Sequence, residues 1–244
     1  MRRELKYTLR LLDHLKAITK KYFSIENSFI SDFDDAGAYG NYIRDIIFDE
    51  PSYADLTPEQ RYLHDLANII TPVLSAYRIK RRIPLLRYRT RKITASAILE
   101  ECGQRIGMDA FHFKERISLF GASANALIED QHCRRHSQTE IARLIRNFNH
   151  ANLRLLKYRN FVVHGPKNRT DEFANLRWLE LAGIFLHDDL WHEYNNEFDN
   201  ARSEWRTMSI NLIQSMEATI AAAQLLNENN IERRILSFSK SSTC

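Results

Sequence analysis

Apolar residues recur every three or four positions along most of this chain, which is the spacing of one buried face of a helix. The pattern is clearest over residues 2–23, where the apolar positions are Leu5, Leu9, Leu12, Leu15 and Ile18. No alternation of apolar and polar residues is long enough to predict a strand. The pattern therefore predicts an all-α protein.

Local start and stop signals divide this pattern into segments. Thr57–Gln60 joins a capping hydroxyl, a proline at the first helical position and a glutamine three residues after the cap, so a helix is predicted to begin there. Because proline lacks an amide hydrogen, Pro72 is expected to kink or end this helix, and Pro84 is expected to stop it after Arg82. Residues 34–42, with the sequence DDAGAYGNY, interrupt the periodicity.

Helical periodicity continues through the second half of the chain. It predicts helices over about residues 94–106, 109–119, 137–164, 171–185 and from 190 onward. The third of these is predicted to begin at a capping box, Ser137 with Glu140, and to run unbroken to Gly165. The last carries apolar residues at alternating spacings of three and four, which is typical of a core or a dimer face. These residues are Trp191, Tyr194, Phe198, Ala201, Trp205, Met208 and Leu212.

Composition indicates one sizeable core or two small ones. The 244 residues are 44% hydrophobic and include only seven glycines and five prolines. No apolar run is long enough to cross a bilayer, and the charged start MRRELKYTLR lacks the apolar block of a signal peptide, so a cytoplasmic protein is expected. The three widely spaced cysteines make neither a disulfide framework nor a zinc-binding pair, and reduced thiols are expected.

Charge is distributed unevenly along the chain. Residues 1–92 contain 17 basic and 12 acidic groups, residues 93–169 contain 12 and 7, and residues 170–244 contain 6 and 12. Two windows contain no acid, namely residues 78–92 with eight basic groups and residues 141–170 with seven. Such windows suit a polyanion such as RNA, although either one alone could equally be a solvated helix face.

Several classes of enzyme are disfavoured by missing motifs. The chain has no glycine-rich phosphate loop, no GxSxG elbow, no HExxH and no cysteine pair at zinc spacing. The nearest approach to a metal cluster is HDDLWHE, with His187, Asp188 and His192. Because residues five apart on a helix diverge by about 140°, the two histidines are not expected to share a metal. We predict neither a metal nor a cofactor.

Arginine precedes histidine in two similar stretches, the first motif RNFNH (Arg146–His150) and the second motif RNFVVHG (Arg159–Gly165). Spacing by itself is uninformative. Random placement of the 9 histidines and 25 arginines gives about three pairs in which four to six residues lie between the arginine and the histidine, and the chain has three such pairs. The second motif is more specific, since Asn160 and a short apolar run separate Arg159 from His164 at a predicted helix end.

The second motif resembles the signature of the HEPN superfamily. The resemblance implies a helical bundle of the HEPN type over residues 93–235, with additional helices in the basic N-terminal region 1–92 and a disordered tail at 236–244. It further implies a metal-independent endoribonuclease that forms a homodimer in which two motifs face one cleft. Members of this family often act in toxin–antitoxin or abortive-infection defence against phage, so an antitoxin or defence protein is a candidate partner.

The resemblance gives each residue of the second motif a role. A ribose 2′-hydroxyl would attack the neighbouring phosphate to leave a 2′,3′-cyclic phosphate, with His164 moving the proton, Arg159 stabilising the phosphorane charge and Asn160 orienting the phosphate. Since Arg159 and His164 diverge by about 140° on an ideal helix, a bend near Gly165-Pro166 is expected to turn His164 toward Arg159 or toward a partner's groove. RNA contacts are predicted at Arg81, Arg82, Arg87, Arg89, Arg154 and Lys157.

Two alternatives remain open at this point. Some HEPN proteins have lost catalysis, and the chain would then be a helical module that binds RNA or a protein partner. Arg159 could also pair with an acid while His164 caps a helix end, which would make both residues structural.

Overall fold

A computed structural model describes residues 4–23, 52–86, 95–164, 173–185 and 189–227. Every regular element in these residues is a helix, so the predicted all-α fold is confirmed. None of these helices is both long and apolar enough to span a membrane. Short 3₁₀ helices lie at Tyr53–Asp55 and Ile83–Leu85. The α-helices are α1 (Lys6–Phe23), α2 (Pro58–Asn68), α3 (Ile70–Arg82), α4 (Ala95–Ala126), α5 (Gln131–Ala151), α6 (Leu153–His164), α7 (Ala174–Phe185) and α8 (Asp189–Asn227).

The chain forms two compact units that are interleaved along the sequence. The first unit comprises residues 1–74, 112–151 and 214–244, and the second comprises residues 75–111 and 152–213. Helices α3, α4 and α8 therefore contribute residues to both units.

The domain boundaries predicted from the sequence stay predictions. The boundary at residue 92 lies outside the described residues, as do the tail at 236–244 and the interruption at 34–42. The described part of region 1–92 contributes to both compact units.

The core of the first unit contains apolar residues of α2, α4 and α5. Phe113 of α4 packs against Phe148 of α5 with ring centroids 4.9 Å apart. Tyr62 of α2 lies 5.5 Å from Phe120, two turns further along α4. Leu12 of α1 is 1% exposed, as its helical spacing predicts.

A buried glutamate of α8 caps α1 in the first unit. The Glu217 carboxylate accepts hydrogen bonds from the backbone amides of Tyr7 and Thr8, at 2.7 and 3.0 Å, and from the Thr8 hydroxyl. These amides belong to the first turn of α1, where a helix leaves donors unpaired and favours negative charge. The carboxylate therefore satisfies the helix end and is itself satisfied, although Glu217 is only 6% exposed.

A second buried glutamate caps the first turn of α4 in the second unit. Glu180 of α7 accepts hydrogen bonds from the Ala95 amide at 3.0 Å, the Ser96 hydroxyl and the Tyr194 hydroxyl at 3.0 Å. Neither buried glutamate belongs to a local capping motif, so the sequence pattern did not identify them.

The predicted start of α2 is confirmed by its capping geometry. The Thr57 hydroxyl accepts a hydrogen bond from the Gln60 amide, and the Gln60 side chain accepts one from the Thr57 amide. The helix stops at Asn68, and α3 ends at Arg82 immediately before the 3₁₀ turn that contains Pro84, as predicted.

The interruption expected at Pro72 lies three residues earlier, at Ile69. Pro72 has no amide hydrogen for the carbonyl four residues before it, which is that of Asn68. In its place Arg116 of α4 donates a hydrogen bond to the Asn68 carbonyl oxygen at 2.7 Å. A distant side chain thus satisfies the acceptor that the proline leaves unpaired.

Three predictions of helix boundaries are wrong. The helices predicted at 94–106 and 109–119 form one continuous helix, α4, because its glycines face packed neighbours and do not break the backbone. The capping box predicted at Ser137 lies inside α5. The first turn of α5 is instead capped by the Asp130 side chain, which accepts a hydrogen bond from the Cys133 amide at 2.7 Å. The single helix predicted over 137–164 is interrupted at Asn152, between α5 and α6.

The apolar stripe of α8 is largely core of the second unit. Tyr194, Phe198, Trp205 and Leu212 are at most 2% exposed within the single chain. Trp191, Ala201 and Met208 are half-buried, and the alternative that the stripe is a dimer surface stays a prediction.

Candidate functional site

Two buried side chains fix the orientation of α6. Leu155 and Tyr158 are 3% and 5% exposed. The Tyr158 ring packs edge-on against Trp205 of α8 at 5.0 Å and lies 6.2 Å from Phe173. Because this anchor sets the rotation of the helix, it decides which residues of the second motif face solvent.

One exposed face of α6 carries Lys157, Asn160 and His164. Their spacing of three and four residues places them within an arc of about 60° on an ideal helix. All three side chains are exposed. The structure thus brings Asn160 and His164 of the predicted catalytic set, and Lys157 of the predicted RNA contacts, onto the same face.

Arg159 lies on another side of α6, against α4, and is half-buried. Gly107 of α4 faces this residue, and a Cβ atom added to the glycine would lie 3.4 Å from the Arg159 Cβ atom, which is an ordinary contact. One turn further along α4, the Phe111 ring centroid lies 3.7 Å from the guanidinium carbon of Arg159. A cation held over a ring face at this distance is attracted by the ring quadrupole.

The guanidinium group of Arg159 extends to Asn160. Its Nη1 atom donates a hydrogen bond to the Asn160 Oδ1 atom at 3.1 Å. Its Nε atom is buried and has no hydrogen-bond partner among the described residues. The ring of Phe111 and the amide of Asn160 therefore hold the planar group in a defined position while leaving donor capacity unused.

The bend expected between Arg159 and His164 is not seen, because α6 remains helical through His164. Gly165 and Pro166, which motivated the expectation, lie outside the described residues. Among the described residues no hydrogen bond joins His164 to Arg159. Arg159 and His164 are connected indirectly, since Arg159 donates a hydrogen bond to Asn160 and Asn160 lies about one helical turn before His164.

The other predicted RNA contacts are dispersed. Arg154 forms an ion pair with Glu204 of α8, and both side chains are about half exposed. Arg81 and Arg82 are exposed in the last turn of α3, where basic groups also interact favourably with the helix dipole. Arg87 and Arg89 lie outside the described residues.

The first motif lies on α5 and has a mixed character. Phe148 is 3% exposed and belongs to the core of the first unit, whereas Arg146 and His150 are exposed. These two residues are four apart and share one face, as predicted. Nothing in the described contacts gives this pair a buried or constrained geometry like that of Arg159.

Metal-ligating and thiol groups do not form a second cluster in the described residues. No group of three or more His, Cys, Asp or Glu there could hold a metal ion. His187 and Asp188 lie outside the described residues, and His192 is exposed on α8. Cys102 is buried, and desolvation raises the pKa of its thiol, which disfavours the reactive thiolate.

Sequence reasoning missed Gly107 and Phe111, the two residues of α4 that face Arg159. Their four-residue separation on one amphipathic helix was a usable signal, because it places them on the same face. The signal was lost once Gly107 was interpreted as the gap between two helices.

No protein-family model matches this chain, and neither the curated proteins nor the solved structures contain a match. Membership of the HEPN superfamily therefore stays a prediction based on the second motif.

Proposed function

We propose that this protein is a metal-independent endoribonuclease whose active site is built on Arg159, Asn160 and His164. The observation that supports this most strongly is the placement of the Arg159 guanidinium group. It is held over Phe111 and bound to Asn160, which lies on the exposed face that carries His164, and its Nε atom is buried and unpaired among the described residues. An ordinary surface arginine has no such preorganised setting.

Each group has a role in attack of a ribose 2′-hydroxyl on the adjacent phosphate. The guanidinium donors of Arg159 stabilise the charge that develops on the phosphorane oxygens, and the Asn160 amide orients one of them. The His164 imidazole takes the proton of the attacking hydroxyl or supplies one to the departing 5′-oxygen. The products are a 2′,3′-cyclic phosphate and a free 5′-hydroxyl.

A homodimer fits this chemistry. The reaction removes one proton and delivers another, and the second motif contains one histidine per chain. Two motifs that face one cleft would supply a base and an acid from different copies. This arrangement would also bring His164 of one copy near Arg159 of the other, although the two residues diverge on α6. A defence role against phage, with an antitoxin or defence protein as partner, rests on the HEPN resemblance alone.

The test is cleavage of a short RNA, about four nucleotides long, in the presence of chelator. We expect a cyclic phosphate product from the wild-type protein and a loss of roughly 10²–10⁴-fold in rate for His164→Ala. His150→Ala is the matched control, since His150 is also exposed in the last turn of a helix and follows an arginine in a similar motif. Equal losses in the two variants, or cleavage that needs a metal, would contradict the proposal.

A catalytically silent RNA-binding module is the second candidate. It is favoured by the continuous helix between Arg159 and His164, which keeps the two side chains about 140° apart within one chain. Under this alternative, RNA binds but no cyclic phosphate forms, and His164→Ala leaves the affinity unchanged.

A further inference from the structure

The outward face of α5 carries a row of polar and basic side chains, which we name the α5 stripe. Successive members are separated by four, three, four, three and four residues, so all lie within an arc of about 80° on an ideal helix. All are exposed. The members are His132, His136, Thr139, Arg143, Arg146 and His150.

The stripe points directly away from the core of the first unit. The buried residues of α5 are Ser137, Ile141 and Phe148. On an ideal helix these lie about 140–180° from His132, opposite the centre of the stripe. The stripe is about 27 Å long, because its ends are 18 residues apart and each residue adds about 1.5 Å.

Acidic residues are nearly absent from this helix. The only acid in α5 is Glu140, which forms an ion pair with Arg143. Arg146 in the stripe and Arg135 at its edge have no ion-pair partner among the described residues. A solvated helix face normally alternates charges and gains about 0.2–0.5 kcal/mol from each opposite pair, whereas like charges one turn apart repel. Arg143 and Arg146 lie about one turn apart on this face, where their like charges repel, so the α5 stripe is a favourable surface for a ligand that carries negative charge.

We infer that the α5 stripe binds the phosphate backbone of RNA independently of sequence. The choice of RNA as the polyanion rests on the proposed function. Guanidinium groups bind phosphate oxygens through two parallel hydrogen bonds, and imidazole nitrogens add further donors. The stripe presents no Phe, Tyr or Trp ring for base stacking and no apolar side chain for insertion into a lipid surface. It therefore contacts the charged backbone and leaves the bases unread.

The test measures binding of a fluorescent 2′-O-methyl RNA 20-mer, which a 2′-hydroxyl-dependent nuclease cannot cleave. The stripe variant combines Arg135→Gln, Arg143→Gln and Arg146→Gln. The control variant removes three exposed basic groups elsewhere, through Lys6→Gln, Arg10→Gln and Arg206→Gln. Affinity is measured at several salt concentrations, and circular dichroism checks that each variant is folded.

We expect the stripe variant to reduce the slope of log affinity against log salt by about 2, because each phosphate contact to a single strand contributes about 0.7. At 0.1 M salt this corresponds to a loss of roughly tenfold to a hundredfold in affinity. The control variant should change the slope much less. Equal slopes for wild type and a folded stripe variant would overturn the inference, as would tighter stripe-dependent binding of a DNA 20-mer than of the RNA.

Failure of this inference and failure of the proposed function give different results. If the stripe variant binds like wild type while the short RNA is cleaved, only the inference is wrong. If no cyclic phosphate forms but binding depends on the stripe, the nuclease is wrong and the RNA-binding surface stands.

Discussion

At the scale of single residues, Arg159 packs against two neighbours in α4. Gly107 faces the Arg159 Cβ atom, and the Phe111 ring lies against the guanidinium group. A flat, delocalised cation suits this position because it can stack on the ring while its edge donates to Asn160. The same features distinguish arginine from lysine there.

Arg159→Lys should therefore reduce cleavage of the short RNA by roughly a hundredfold although it keeps the charge. An ammonium group cannot make a two-pronged contact with phosphate oxygens and is more strongly hydrated above an aromatic ring. Single-turnover rates with chelator present measure the loss. Arg146→Lys, in the first motif, is the matched control and should be nearly neutral on this substrate. Full activity in Arg159→Lys would show that Arg159 acts only as a nearby charge.

At the scale of elements, the glycines of α4 lie inside one continuous helix and differ in how closely they pack. A Cβ atom on Gly121 would lie 2.6 Å from the Ile141 Cγ2 atom of α5, which is too close for real atoms. A Cβ atom on Gly107 would meet α6 at 3.4 Å or more, which is an ordinary contact. The two glycines therefore have different tolerance for a methyl group.

Gly121→Ala should destabilise the protein even though alanine favours helices by about 1 kcal/mol over glycine. Overpacking against Ile141 costs about 1–3 kcal/mol, so a net loss of up to about 2 kcal/mol in the free energy of unfolding is expected. Gly107→Ala is the control and should be neutral or stabilising by up to about 1 kcal/mol. Urea unfolding measures both. Equal stabilities of the two variants would show that α5 moves away from Gly121 without cost.

At the scale of the whole molecule, α3, α4 and α8 each contribute residues to both compact units. Melting either unit would unwind part of a helix that also belongs to the other. All three tryptophans, Trp178, Trp191 and Trp205, lie in the second unit, so their fluorescence reports on that unit. The two buried glutamates, one in each unit, allow a test of whether the units unfold together.

Glu217→Gln in the first unit and Glu180→Gln in the second should each lower the free energy of unfolding by about 1–3 kcal/mol, because each loses charge-assisted hydrogen bonds to a helix end. Both variants should shift the same transition, seen by tryptophan fluorescence and by circular dichroism in urea. Glu204→Gln, in an exposed ion pair, is the control and should cost about 0–1 kcal/mol. A fluorescence midpoint that Glu217→Gln leaves unchanged would mean that the units unfold independently.

Some predictions made from local sequence signals are confirmed and others are wrong. The all-α fold, the Thr57 cap and the end of α3 before Pro84 follow from periodicity, from a side chain bonding three residues away, and from the missing amide of proline. The boundaries at Gly107 and Ser137 were wrong, because glycine and serine are compatible with a helix interior when packing favours it.

The sequence by itself determined that the chain is helical, where several helices lie, and that Arg159, Asn160 and His164 fall close together near a helix end. Only the tertiary structure decided how those side chains are oriented. It alone placed Arg159 on Phe111 and paired Glu217 with an amide 210 residues away. Helix formation depends on neighbours within about four residues, whereas capping by a distant carboxylate and stacking on a distant ring depend on packing that no local pattern contains.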